Sequence, residues 1–207
     1  DFFWNFISLC YLIKKIYNGN IAIKTIFLLF LFPFSIFYRS YFTEGLLLLL
    51  LIWFSYFLIQ KKWMMTAATM GLLGVIRGTG LFIFPLFLFY LIKQLGRRSI
   101  SYKQGLLYLV IALLPTLLWV IYYYAQTGDG LYFLSVRSNW AQIQYPIIHN
   151  LVLITMFYQL PLHDFHYSLI DVSVIITTLW LLFLSRKNLP KQLWWLSFLL
   201  WIGPLTT

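Results

Sequence analysis

Residues 44–80, EGLLLLLLIWFSYFLIQKKWMMTAATMGLLGVIRGTG, contain the pattern that decides the fold of this chain. Two apolar segments are joined by Lys61 and Lys62, and the charges of Glu44 and Arg77 stand at their far ends. Such segments are typical of helices that cross a lipid bilayer. Several apolar segments of this chain are nevertheless shorter than the roughly 20 residues that a perpendicular span needs. Charge kept at membrane depth indicates a functional site.

The composition of the whole chain supports this interpretation. Hydrophobic residues make up 62% of the 207 residues and charged residues only 10%, whereas a soluble domain carries about a quarter charged residues. We therefore predict an all-α integral membrane protein, a polytopic transmembrane helical bundle of about eight spans. Apolar runs between charges, Gly and Pro place the spans near 2–17, 21–38, 44–59, 63–77, 79–93, 104–125, 167–184 and 191–205.

The basic residues are distributed unevenly along the chain and predict its orientation. Twelve of the fifteen fall in alternate short loops, namely Lys14, Lys15, Lys24, Lys61, Lys62, Lys93, Arg97, Arg98, Lys103, Arg186, Lys187 and Lys191. By the positive-inside rule these loops face the cytoplasm, and Arg39, Arg77 and Arg137 lie on the outer face. The net charge of +10 thus reports topology and anionic lipid, and we expect no nucleic-acid partner.

The ends of the chain predict a fragment. The chain begins at Asp1 without an initiator methionine and enters an apolar run at once. We expect one transmembrane domain over residues 1–207, with an outward-facing loop over 126–166. Within that loop, apolar residues at 133, 136, 140 and 143 recur at helical spacing. They predict an amphipathic helix that lies on the outer face of the membrane.

Glu44 has two interpretations. Thr43 and Glu44 open the third span, where a hydroxyl residue caps a helix and an acid near the N-terminus is stabilised by the macrodipole. Alternatively, Glu44 lies beside Arg39 or Arg77 in a polar pocket and orients the arginine or a sugar hydroxyl.

The fourth span has small residues, Ala67, Gly71, Gly74 and Gly78, at three- or four-residue spacing. A face of this kind lets another helix approach closely, and packing explains it. Arg77 is followed by Gly78, Thr79 and Gly80, which predict a tight turn with exposed amides before the next helix. A guanidinium beside free amides suits a phosphate or diphosphate group, and the alternative is an arginine that snorkels to the interface.

Two further polar stretches follow. Asp129, Arg137 and Trp140 lie in TGDGLYFLSVRSNW, where an aromatic ring beside polar groups suits a sugar and the alternative is an interfacial belt. The HDFH stretch, residues 163–166, is a weak signal for metal because its ligands lie on one loop without a distant partner. We predict no metal there. Asp171, inside the seventh span, is either a helix-packing acid or part of the pocket.

Two paired stretches resemble the GPI mannosyltransferase 2 (PIG-V) family and its prokaryotic relatives. FPFSIFYRSYFTEGLLLLLL, residues 32–51, and GLLGVIRGTGLFIFPL, residues 71–86, are similar to its paired signature. The positions that match are Tyr41, Thr43, Glu44, Arg77 and Gly80. TGDGLYFLSVRSNW and the closing spans, which end in a Pro-Leu-Thr turn, resemble later parts of the family, so the similarity covers most of the chain in order. Gly45 departs from the family, which usually has Ser after the Glu.

The resemblance implies a GT-C glycosyltransferase that transfers a hexose, typically mannose, from a polyprenyl or dolichyl phosphate. The acceptor would be a lipid-linked glycan or a protein on the outer or lumenal face. We expect Arg77, Gly78, Gly80 and Arg39 to bind the donor phosphate. The pocket would include Tyr41, Thr43, Glu44, Asp129, Arg137 and Trp140.

The resemblance also implies what is absent from this chain. Enzymes of this class carry their catalytic acid in the first outward loop, which we place upstream of Asp1, so no catalytic residue is assigned and the fragment is expected to be inactive alone. Since the leaving group is a lipid phosphate, the chemistry needs no metal or other cofactor. We expect a prokaryotic plasma membrane, or the endoplasmic reticulum of a eukaryote. A transporter or a non-catalytic protein that binds lipid phosphate remains the alternative.

Overall fold

The computed structural model describes residues 2–31, 43–76, 78–130, 173 and 176–202. Its regular elements are helices, with no strand among the described residues, and this confirms the all-α prediction. The chain divides into two compact units, Asp1–Trp119 and Val120–Thr207.

The described helices follow the predicted spans closely. In chain order they are α1 (Phe2–Ile16), α2 (Gly19–Leu31), α3 (Thr43–Ile59), α4 (Trp63–Ile76), a 3-10 helix (Gly78–Ile83), α5 (Phe84–Gly96), α6 (Tyr102–Thr127), α7 (Ile176–Ser185) and α8 (Lys191–Ile202). Among the described helices, α6, with 26 residues, is long and apolar enough to cross a membrane. Its apolar side chains are widely exposed, for example 65% of Leu106 and 62% of Ile121.

Helices α1 and α3 pack side by side and run parallel. Near their starts, Asn5 Nδ2 donates a hydrogen bond to the carbonyl oxygen of Gly45 over 2.9 Å. Near their ends, Lys15 Nζ donates to Tyr56 Oη over 3.3 Å. Between these contacts, Leu12 of α1 and Ile52 of α3 belong to one apolar cluster. The parallel course follows from α2, which contacts α1 and returns the chain to the end where α1 began.

The small-residue face of α4 packs against α6, as the sequence predicts. A Cβ atom on Gly71 would lie 2.8 Å from Pro115 Cγ and 3.0 Å from the Ile111 carbonyl oxygen, and one on Gly74 would lie 2.6 Å from Thr116 Oγ1. Pro115 has no N–H, so the Ile111 carbonyl loses its usual intrahelical donor. The absence of a side chain at Gly71 leaves room for α4 to approach this carbonyl closely.

The segment after α4 differs from the prediction. The sequence predicts a tight turn followed by a helix from 79, whereas a 3-10 helix covers Gly78–Ile83 and α5 begins at Phe84. Pro85 stands in the first turn of α5, where its fixed φ and missing N–H suit a helix start. The two glycines before it have low helix propensity. The α-helical N-terminus therefore lies several residues beyond Arg77.

We call the ends of α1 and α3, with the turn 60–62, the lysine end of the first unit. The starts of α1 and α3 form its glutamate end, named for Glu44. A short turn joins α3 to α4, and the two helices contact each other, so α4 ends at the glutamate end. The prediction that Lys24 lies in a loop is wrong, because Lys24 lies within α2.

In the second unit, α7 and α8 form a helical hairpin. The backbone N–H groups of Asn188 and Leu189 both donate to the carbonyl oxygen of Ser185, each over 2.9 Å. Trp194 Nε1 donates to the Leu182 carbonyl oxygen over 2.9 Å. That carbonyl belongs to the last turn of α7, where backbone acceptors lack a backbone N–H partner. It accepts from Ser185 Oγ within α7 over 2.9 Å and from Trp194 of α8, so the Trp194 contact ties the two helices together.

Candidate functional site

The structure describes half of the predicted site. The described residues are Thr43, Glu44, Gly78, Gly80 and Asp129. The other predicted site residues lie outside the described residues, namely Arg39, Tyr41, Arg77, Arg137 and Trp140. So do the predicted surface helix over 131–143, the HDFH stretch and Asp171.

Glu44 lies where the sequence places it, in the first turn of α3. Thr43 is the first residue of that helix and is exposed, whereas Glu44 is half-buried and its Oε2 atom is buried. An acid in the first turn is stabilised by the positive end of the helix dipole. The capping interpretation therefore accounts for the position of Glu44 in the helix, and its partial burial leaves the pocket interpretation in place.

The sequence analysis missed Asn5, a polar residue of α1 that contacts the start of α3 beside Glu44. Its side chain is only 2% exposed, and its amide donates to Gly45, the residue that follows Glu44. Its Oδ1 atom is buried and accepts no hydrogen bond within the described part of the chain. The signal for it was present, because an asparagine inside the apolar run FFWNFISLC is costly in a membrane span.

The chemistry available at the glutamate end is that of hydrogen-bond acceptors. The Asn5 Oδ1 and Glu44 Oε2 atoms are both buried, and their residues lie near the starts of parallel helices. Oxygens of this kind accept hydrogen bonds from hydroxyl groups.

Gly78 and Gly80 lie in the 3-10 helix, at the same end of the first unit as Glu44. Gly80 is buried, and a Cβ atom there would overlap the carbonyl group of Leu73 in α4. A glycine is therefore required at this position by backbone packing. Because Gly80 has no side chain, the backbone of the 3-10 helix packs directly against the last turns of α4.

Asp129 lies just after α6, in a locally hydrogen-bonded turn. Thr127 Oγ1 donates to the carbonyl oxygens of Tyr123 over 2.8 Å and of Asp129 over 3.0 Å. Gly128 has φ +74, the left-handed conformation that commonly ends a helix and favours glycine. The Thr-Gly-Asp stretch thus has a structural role as the stop of α6, and it holds Asp129 exposed.

No group of three or more His, Cys, Asp and Glu side chains within the described residues is arranged to hold a metal ion. Comparison with known proteins adds no relative: no family model, no curated protein and no solved structure matches the chain.

Proposed function

We propose that this chain is part of a polytopic membrane glycosyltransferase of the GT-C type. It transfers a hexose, with mannose the first candidate, from a polyprenyl or dolichyl phosphate to a lipid-linked glycan or protein acceptor. The observation that carries the proposal is the buried polar contact at the glutamate end, where Asn5 meets Gly45 beside Glu44. The motif resemblance to the PIG-V family supplies the reaction.

The predicted membrane topology places this contact on the outer face. The lysines gather at the opposite end of the same helices, and basic loops face the cytoplasm. Polar side chains kept inside apolar spans are costly and mark substrate paths. The donor sugar carries hydroxyl groups that match the acceptor oxygens of Asn5 and Glu44.

In the proposed reaction, the acceptor hydroxyl oxygen attacks the anomeric carbon of the donor. The bond from that carbon to the lipid-phosphate oxygen breaks, and the carboxylate that the family resemblance implies in an outward loop takes the hydroxyl proton. Arg77 stabilises the departing phosphate, with support from Arg39 and from the backbone near Gly78. Glu44 orders the pocket, and Trp140 stacks on sugar.

The test uses the full-length protein and labelled polyprenyl-phosphate mannose. Replacing Arg77 by Ala should lower kcat by about 10²-fold, since a donor that stabilises the leaving charge has effects of this size. The matched control, Lys187→Ala, removes a positive charge on the cytoplasmic side and should leave transfer unchanged.

Two outcomes would overturn the proposal. Unchanged transfer in Arg77→Ala removes the phosphate assignment. Donor binding by the full-length protein without any transfer indicates a lipid-phosphate-binding protein instead of an enzyme.

A further inference from the structure

The lysine end gathers four cations of the first unit. Lys14 and Lys15 end α1, Lys61 and Lys62 follow α3, and all four side chains are exposed. They come together because α1 and α3 run parallel and meet at Lys15 and Tyr56. Within the described part of this unit the one acidic residue, Glu44, lies at the opposite end of α3, so no carboxylate neutralises this face there.

Two tyrosines hold Lys15 at this end. Lys15 Nζ lies 3.3 Å from Tyr56 Oη, and 5.1 Å and 6.0 Å from the ring centroids of Tyr56 and Tyr11. The two tyrosine hydroxyl oxygens are 3.5 Å apart. Either oxygen can donate in this contact, so one of the two hydroxyl protons lies between the tyrosines and the other is available to a further acceptor. The cluster thus presents a fixed cation and a hydroxyl donor together.

The turn after α3 keeps a lysine where glycine is the usual residue. Lys61 has φ 58, the left-handed region, which costs a non-glycine residue about 1 kcal/mol. The Lys62 N–H donates to the Phe57 carbonyl oxygen over 3.0 Å, so the turn is a helix stop of the kind that favours glycine. A cation also suits the negative end of the helix dipole, but Lys62 already supplies one.

We propose that the lysine end binds the phosphate headgroup of an anionic phospholipid from the adjoining leaflet. Lys14, Lys15, Lys61 and Lys62 supply the positive charge, and one hydroxyl group of the Tyr11–Tyr56 pair donates a hydrogen bond. Clusters of this many cations at the cytoplasmic end of spans attract anionic lipid, and tyrosine is enriched at the same depth. The inference depends on the membrane placement in the proposed function and not on the transferase chemistry.

The test measures thermal unfolding of the purified chain in a zwitterionic detergent. Phosphatidylglycerol should raise the midpoint of unfolding, because a ligand that binds the folded state stabilises it. Phosphatidylcholine and inorganic phosphate should not. The double variant Lys15→Gln/Lys61→Gly should weaken the apparent affinity for phosphatidylglycerol about thirtyfold, from roughly fivefold for each cation near the surface.

A single variant separates lipid binding from folding. Lys61→Gly relieves the left-handed strain, so without lipid its unfolding midpoint should equal or exceed that of the unsubstituted chain, while its lipid affinity falls. Arg98→Gly is the matched control, because Arg98 also has a positive φ, 53, in the turn after α5. It should keep the lipid affinity.

Three results would overturn the inference. They are an equal response to phosphatidylcholine, an undiminished affinity in Lys61→Gly, and an equal loss in Arg98→Gly. The last would show a diffuse attraction of all basic loops instead of a site at the ends of α1 and α3. Each of these results leaves the transferase test unaffected, and loss of transfer in Arg77→Ala leaves the lipid test unaffected.

Discussion

Asn5 illustrates how a single buried amide orders two helices. Its Nδ2 atom bonds to Gly45, forty positions along the chain. In an apolar bundle an interhelical hydrogen bond fixes both the depth and the rotation of one helix against the other, although its contribution to stability is modest. The residue therefore matters for the position of Glu44 as well as for stability.

Replacing Asn5 by Ala should lower the free energy of unfolding by about 1 kcal/mol, the usual size of such a bond. Thermal or denaturant unfolding in detergent measures the change. Asn20→Ala is the matched control, since Asn20 is exposed on α2 and should lose less. Equal losses in the two variants would contradict the structural role of the Asn5 contact.

At the scale of elements, the crossing of α4 and α6 depends on glycine. Gly71 faces Pro115 and the carbonyl oxygen that Pro115 leaves without an intrahelical donor. The proline thus has two effects: α6 loses one backbone hydrogen bond, and the proline ring packs directly against Gly71 of α4.

Gly71→Ala should lower the free energy of unfolding by about 1–3 kcal/mol, because the added methyl group overlaps a proline ring and a backbone carbonyl. The comparison is with Gly96→Ala at the end of α5, where a Cβ atom meets nothing within 4 Å. That variant should be neutral or slightly stabilising. If Gly71→Ala matched it, the helices would not cross at this position.

At the scale of the whole molecule, the distribution of charge predicts the orientation in the membrane. Lys15 and the turn with Lys61 lie at one end of α1 and α3 and Glu44 at the other. The first unit therefore carries its predicted cytoplasmic and outer residues at separate ends.

Cysteine labelling in intact cells tests this orientation. In a Cys10→Ser background, Thr43→Cys should react with a membrane-impermeant thiol reagent applied from outside. Gly96→Cys should react only after the cells are permeabilised, because it follows Lys93 in the last turn of α5 and basic loops face the cytoplasm. Both Thr43 and Gly96 are exposed. The reverse pattern would invert the topology and remove the proposed site from the outer face.

Much of the fold could be predicted from the sequence. The bounds of α1, α3 and α4 differ from the predicted spans by one residue or less at each end, because charges, Gly and Pro interrupt apolar runs where helices end. Among the candidate site residues, Glu44 was placed correctly in the first turn of α3, but Asn5 was missed. The predicted start of α5 was wrong, because Gly78 and Gly80 lie in a 3-10 helix and the α-helix begins only at Phe84.

The sequence by itself determined the helical class, the bounds of α1, α3 and α4 and the sorting of charge, since each depends on local composition. Only the tertiary structure decided that Asn5 meets Gly45, that Gly71 meets Pro115 and that Lys15 meets Tyr56. The physical reason is that a helix such as α3 is apolar on all sides. It has no polar stripe to show which face packs against protein, so the rotation of each helix is set by close packing and a few hydrogen bonds.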